Sequence, residues 1–101
     1  MRAHAIEEYY QAAAEEFPKL LREKGFKDAE IGTHAGLADT SLMLAIDPAL
    51  VRVDRLQAAG NSKLDGVSGN PRRSSAELGK LGVDLIVARS VEAIRKATAR
   101  K

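Results

Sequence analysis

The sequence predicts a helix-dominated chain with a thin apolar core, and three observations carry that expectation. Apolar residues recur at helical spacing in three segments, over 6–24, 38–46 and 74–98. Glycine and proline mark the boundaries between those segments. Aromatic residues make up only 4% of the 101 residues, so the core has to be built from Leu, Ile, Val and Ala. A short chain of that kind is expected to bury its remaining apolar faces against a partner or further polypeptide.

In the first segment Ile6, Tyr10, Ala13, Phe17, Leu20 and Leu21 form the apolar stripe, with Glu7, Glu8, Glu15, Glu16, Arg22 and Glu23 between them. Pro18 interrupts it. An internal proline costs about 3 kcal/mol through its missing donor and ring clash, so a kink or restart is expected there. Gly25 is a natural stop. A turn follows at Lys27–Glu30, then Ile31-Gly32-Thr33-His34-Ala35-Gly36, then a second helix from Ala38 to about Ile46 that Asp47-Pro48 ends. Ala49–Val53 reads as a short turn or strand.

Residues 54–73, with Gly60, Gly66, Gly69 and Pro71, read as a long irregular loop, a kind that is usually functional when it lies in a small domain. The last segment, Ser74 to Thr98, carries the strongest helical pattern. Ser74 and Glu77 have capping-box spacing. Val83, Ile86, Val87, Ser90, Val91, Ile94 and Ala97 make its expected buried stripe, and Arg95, Lys96, Arg100 and Lys101 favour the negative end of the dipole. Gly79 and Gly82 imply a bend or a close helix contact.

Composition excludes several functions. Net charge is +2 with the signs mixed along the chain, which argues against a nucleic-acid partner. With no cysteine there is no disulfide, thiolate nucleophile or Cys-based zinc site. No apolar run approaches the roughly 20 residues of a membrane span, and the N-terminus lacks a signal-peptide core. A cytoplasmic protein with no membrane partner is the expectation.

The stretch most suited to chemistry is His34-Ala35-Gly36-Leu37-Ala38-Asp39-Thr40-Ser41. An imidazole can accept and return a proton near neutral pH, and Asp39, one turn on, could orient it. The same residues also fit a structural reading, with Asp39 or Thr40 capping the second helix and His34 a loop residue. Elsewhere, Arg72 and Arg73 could bind an anion at the start of the last helix or serve as surface groups. Tyr9-Tyr10 reads as helix packing, and Met43 with Leu42 and Leu44 as core. His4 and Glu8 share a helix face, a poor metal site on a terminus.

The string HAGLADTSLMLAIDPALV resembles the signature of creatininases, in which His-Ala-Gly is followed by an acid, Thr-Ser and an apolar helix. Asp65-Gly66-Val67-Ser68-Gly69-Asn70-Pro71, followed by Arg73, Ser75, Ala76, Glu77 and Gly79, is similar to the family's Gly-Asp-Pro stretch and the helix after it. The resemblance covers nearly the whole chain. It implies an α/β fold: a single partial domain over 1–101, the C-terminal segment of a three-layer αβα architecture, helix-dominated in isolation. It further implies hydrolysis of a cyclic or linear amide C–N bond, with a pair of divalent ions, zinc or manganese, activating water. His34 stands at the position of the proton donor or shuttle, and Asp39 at an acid position where many members carry glutamate.

The family's metal ligands lie in a Glu-x-His segment, an aspartate and an Asn-Gly-His segment, all N-terminal to the matched region, and this sequence has no counterpart of them. The chain alone is therefore expected to bind no metal and to be inactive. A homo-oligomer, or another chain supplying that half, is the expected partner alongside a small-molecule amide. The alternative is a non-catalytic truncated remnant or interaction module.

Overall fold

Residues 7–23 form one continuous helical rod, composed of α1 (Glu7–Gln11), a π-helical turn (Ala12–Glu16) and α2 (Phe17–Glu23). These elements belong to a computed structural model that describes residues 2–56 and 67–99. Pro18 accounts for the π turn. Its ring presses on the carbonyl one turn back and it offers no amide hydrogen, and a widened turn just before it relieves both defects without breaking the rod.

The extra residue in that turn rephases the buried face. Ala12, Phe17 and Leu21 are buried, so the first two stand at π spacing and the last two at α spacing. Tyr10, placed in the stripe by a uniform helical period, is instead 70% exposed. Tyr9 and Tyr10 pack edge to face on each other, with centroids 5.0 Å apart, rather than into the core.

The rod ends as Gly25 predicts. Gly25, at φ 98°, donates to the Arg22 carbonyl and Phe26 to that of Leu21, the two bonds of a Schellman motif. Phe26 then packs on the cluster that contains Leu21. The expected turn at 27–30 is a single helical turn, α3 (Asp28–Ile31).

The second predicted helix is α4 (Leu37–Ile46), and the last is α5 (Ala76–Thr98). They pack in direct backbone contact, because a Cβ at Gly79 would overlap the Ser41 carbonyl. At Gly82 the missing side chain makes room for the Phe17 ring and a Leu42 methyl. The core formed there is Phe17, Leu21, Ile31, Leu37 and Ala38, with Leu42, Leu78 and Leu85 against it.

That contact also decides which face of α5 turns inward. The small residues Gly79, Gly82 and Ala93 are buried, while Val87 and Ile94, expected in the buried stripe, are 53% and 47% exposed. Close approach of two helices selects the face without bulk. Met43, expected in the core, is 39% exposed. The cap differs by one residue as well: Ser75, not Ser74, accepts the Leu78 N–H at 3.1 Å. Its own amide donates to the buried Ser41 hydroxyl at 3.2 Å, a partner that Ser74 lacks.

Between α4 and α5, Asp47 accepts from the Ala49 amide at 3.1 Å and opens a 3-10 turn, Pro48–Leu50, followed by a second, Val53–Arg55. Ala49–Val53 is thus turn rather than strand. No strand occurs among the described residues; the nearest approach is an isolated antiparallel bridge between His34 and Ser68. No helix among them is long and apolar enough to cross a membrane. Gly60, Asp65, Gly66, Arg100 and Lys101, all named in the sequence patterns, lie outside the described residues.

Candidate functional site

The bridge between His34 and Ser68 is the centre of a backbone clasp. His34 donates its amide to the Ser68 carbonyl at 3.2 Å and accepts from the Ser68 amide at 2.8 Å. Thr33 adds two bonds, amide to Ser68 carbonyl at 2.7 Å and hydroxyl to Ser68 hydroxyl at 3.0 Å. The two segments of this clasp touch through glycines: a Cβ at Gly69 would stand 2.8 Å from Gly32 Cα and 2.9 Å from Gly36 Cα. Both Gly32 and Gly69 also take positive φ, 66° and 141°. The backbone of His34 is therefore held from both sides, while its side chain lies in an exposed position.

Asp39 stands close to this turn, and the hydrogen bond its carboxylate makes is to backbone. Its carboxylate accepts the Ala35 amide at 3.0 Å, and Thr40 donates its hydroxyl to the Ala35 carbonyl at 3.1 Å. Gly36 is the N-cap of α4, so Asp39 sits at the third helical position and reaches back to the residue before the cap. Neither Asp39 nor Thr40 is the cap residue itself. Together they fix Ala35 at φ 52°, a left-handed conformation that costs a residue with a Cβ about 1–2 kcal/mol. The structure brings His34 and Asp39 onto one turn, through the Ala35 backbone rather than through a side-chain pair. Asp39→Ala is expected to cost about 1 kcal/mol in urea unfolding, as for loss of a helix-start acceptor, with Asp39→Asn costing less.

A second lock holds the chain after the clasp. The Arg73 guanidinium makes a two-pronged pair with Glu30, Nε to Oε2 at 2.9 Å and Nη2 to Oε1, and lies 4.3 Å from the Phe26 ring centroid. The Asn70 amide donates to the Glu30 carbonyl at 3.0 Å. The Glu30 side chain is only 14% exposed. Arg73 is thus a staple between α3 and the segment leading into α5, not a vacant anion site; Arg72 is exposed beside it. The hydrogen bond from Arg73 holds the Glu30 carboxyl below its ordinary range, against the opposing effect of burial. A carboxylate with a native pKa below its unfolded one stabilises the fold above the unfolded value, and that contribution disappears as pH falls through the native value. Stability should therefore decline as pH drops below the ordinary glutamate value of 4.5, and Glu30→Gln should flatten that limb. An unchanged acid limb in Glu30→Gln, measured by thermal melts across pH, would count against the staple.

Beside the Ala35–Asp39 turn opens a groove of about 980 Å³. Leu42 and Met43 of α4, Leu50 and two arginines, Arg52 and Arg55, share its lining with Asp39. Those arginines were not marked by any sequence pattern, since two isolated cations in a loop carry no signal. Ser68 belongs to the Asp65–Pro71 stretch that resembles the family, but nothing local ties it to His34.

Among the described residues there is no group of three His, Cys, Asp or Glu placed to hold a metal ion. His4 is exposed on the N-terminal segment, before the start of α1.

The family model described as Creatininase, creatinine amidohydrolase, matches residues 2–94. No curated protein and no solved structure matches the chain.

Proposed function

Because the chain belongs to the creatinine amidohydrolase family, we propose that it serves the metal-dependent hydrolysis of an amide C–N bond and that His34 is the proton-transfer group. The observation that carries this reading is the clasp: the His34 backbone is fixed by two bonds to Ser68 while its side chain stays exposed to an incoming substrate. A positioned imidazole can protonate the leaving nitrogen, and such general acid catalysis contributes typically about 10²–10⁴-fold. Asp39 acts here as a positioning residue, since its carboxylate holds the Ala35 amide next to His34.

In this reading the chain corresponds to the C-terminal part of the family's layered α/β domain. The zinc or manganese ligands then come from other polypeptide, either more of the same protein or a partner subunit. The exposed apolar residues Val87, Val91 and Ile94 on α5, and Ile46 on α4, support burial against such a neighbour, in a homo-oligomer or a larger domain.

The test is turnover of creatinine and a panel of linear amides by the native protein from its source cells, with zinc or manganese and after chelation. Loss of turnover on chelation, and a fall of about 10²-fold or more in kcat with little change in KM for His34→Gln, is the expected result. Full turnover in His34→Gln would remove His34 from the chemistry.

The same exposed apolar residues on α4 and α5 also support a second reading, a non-catalytic interaction module. Chelator-sensitive amide hydrolysis by the purified 101-residue chain would exclude it.

A further inference from the structure

We propose that the groove beside the Ala35–Asp39 turn binds a carboxylate-bearing amide with an apolar acyl chain, that is, an N-acyl amino acid. The amide in this assignment rests on the family reading above. The acyl chain and the carboxylate come from the groove itself.

Its volume of about 980 Å³ falls in the range of small-molecule sites. Leu42, Met43 and Leu50 give it an apolar lining, and Met43 and Leu50 are 39% and 66% exposed, so their surface is available to a ligand. Each methylene of an acyl chain buried there contributes about four-fold in affinity. Arg52 and Arg55 line the same space and are exposed, and no carboxylate among the described residues is paired with either. The one acid among the described lining residues, Asp39, already accepts the Ala35 amide. Among the described lining residues two guanidinium groups stand against one carboxylate, an arrangement that favours an anionic end group and disfavours a cationic one. A small neutral heterocycle uses neither the apolar lining nor the arginines.

The groove also begins at the turn that holds His34. Ala35 contributes to its lining, and Ala35 is the residue whose conformation Asp39 and Thr40 fix. A ligand seated along Leu42 and Met43 thus lies next to the segment to which proton transfer is assigned above.

The experiment is titration of the 101-residue chain with N-octanoylglycine, its neutral analogue N-octanoylglycinamide, and N-acetylglycine, read by calorimetry and by backbone amide shifts. N-octanoylglycine is expected to shift the Leu42, Met43 and Arg55 amides and to bind about ten-fold tighter than the neutral analogue, as for one charge-assisted contact. N-acetylglycine should bind far more weakly. The Arg52→Ala/Arg55→Ala double variant should lose the preference for the acid while keeping its affinity for the neutral analogue.

Equal affinity for acid and neutral analogue on the unaltered chain would overturn the proposal without recourse to any variant. Absence of binding at millimolar ligand, or shifts confined to Val87 and Ile94 on α5, would overturn it equally. Turnover separates this from the family reading. Binding without hydrolysis leaves the groove assignment in place and bears on catalysis alone. Hydrolysis of amides with no preference for a carboxylate supports the family reading and overturns the groove assignment.

Discussion

Phe17→Ala should remove about 3–5 kcal/mol of stability, the cost of emptying a fully buried aromatic position. Phe17 is fully buried at the point where the first helical rod meets α4 and α5. Its ring fills the space left by Gly82, beside a Leu42 methyl that can close only part of the void. A chain of 101 residues has a total stability of roughly 5–15 kcal/mol, and the thin core here puts it toward the low end. The variant should therefore lie near its unfolding midpoint in mild urea, followed by circular dichroism at the helix band. Leu50→Ala is the matched control: Leu50 is 66% exposed, so the change should stay within about 0.5 kcal/mol. A loss under 1 kcal/mol at Phe17 would mean that the rod does not dock where the structure places it.

Gly79→Ala should be the most damaging of the conservative changes, by roughly 3 kcal/mol, the upper part of the overpacking range. In an isolated helix the same substitution would stabilise by about 1 kcal/mol. The sign reverses because the new methyl would overlap a backbone atom, the Ser41 carbonyl, which cannot rotate away as a side-chain tip can. The whole α4–α5 pair would have to move apart. That movement would also break the bond from the Ser75 amide to the Ser41 hydroxyl and weaken the start of α5. Gly79→Ala that unfolds at the same or higher urea concentration than the parent would show that the two helices are not in backbone contact.

The two substitutions mark the boundary of what sequence patterns make legible. All three helical segments were readable, because a helix is specified by short-range spacing and by capping chemistry within a few residues. Gly25 was readable as a stop for the same reason. The phase of the buried faces was not. One π turn before Pro18 shifted the stripe from Tyr10 to Ala12, and the glycine contact turned α5 so that Gly79, Gly82 and Ala93 face inward instead of Val87 and Ile94. Hydrophobicity alone ranks valine and isoleucine above glycine for burial, and that ranking fails where two backbones approach too closely for any side chain.

The candidate site divides in the same way. His34 and Asp39 stand out by residue type and spacing, and their motif carries the family resemblance. What each does in the fold depends on residues far away in the chain. Ser68 pins the His34 backbone, Arg73 secures Glu30 beneath the clasp, and Arg52 and Arg55 come to line the groove next to Asp39.

By itself the sequence determined the helical segments, their stops, the signature turn and the absence of cysteine chemistry, since each depends on local conformation or on residue identity. Tertiary structure alone decided which helix faces are buried, that Asp39 serves the Ala35 backbone, and that an exposed groove begins beside it. Those outcomes depend on contacts between segments distant in sequence: Gly79 and Gly82 signal a bend or a close helix contact locally, but not which backbone they meet.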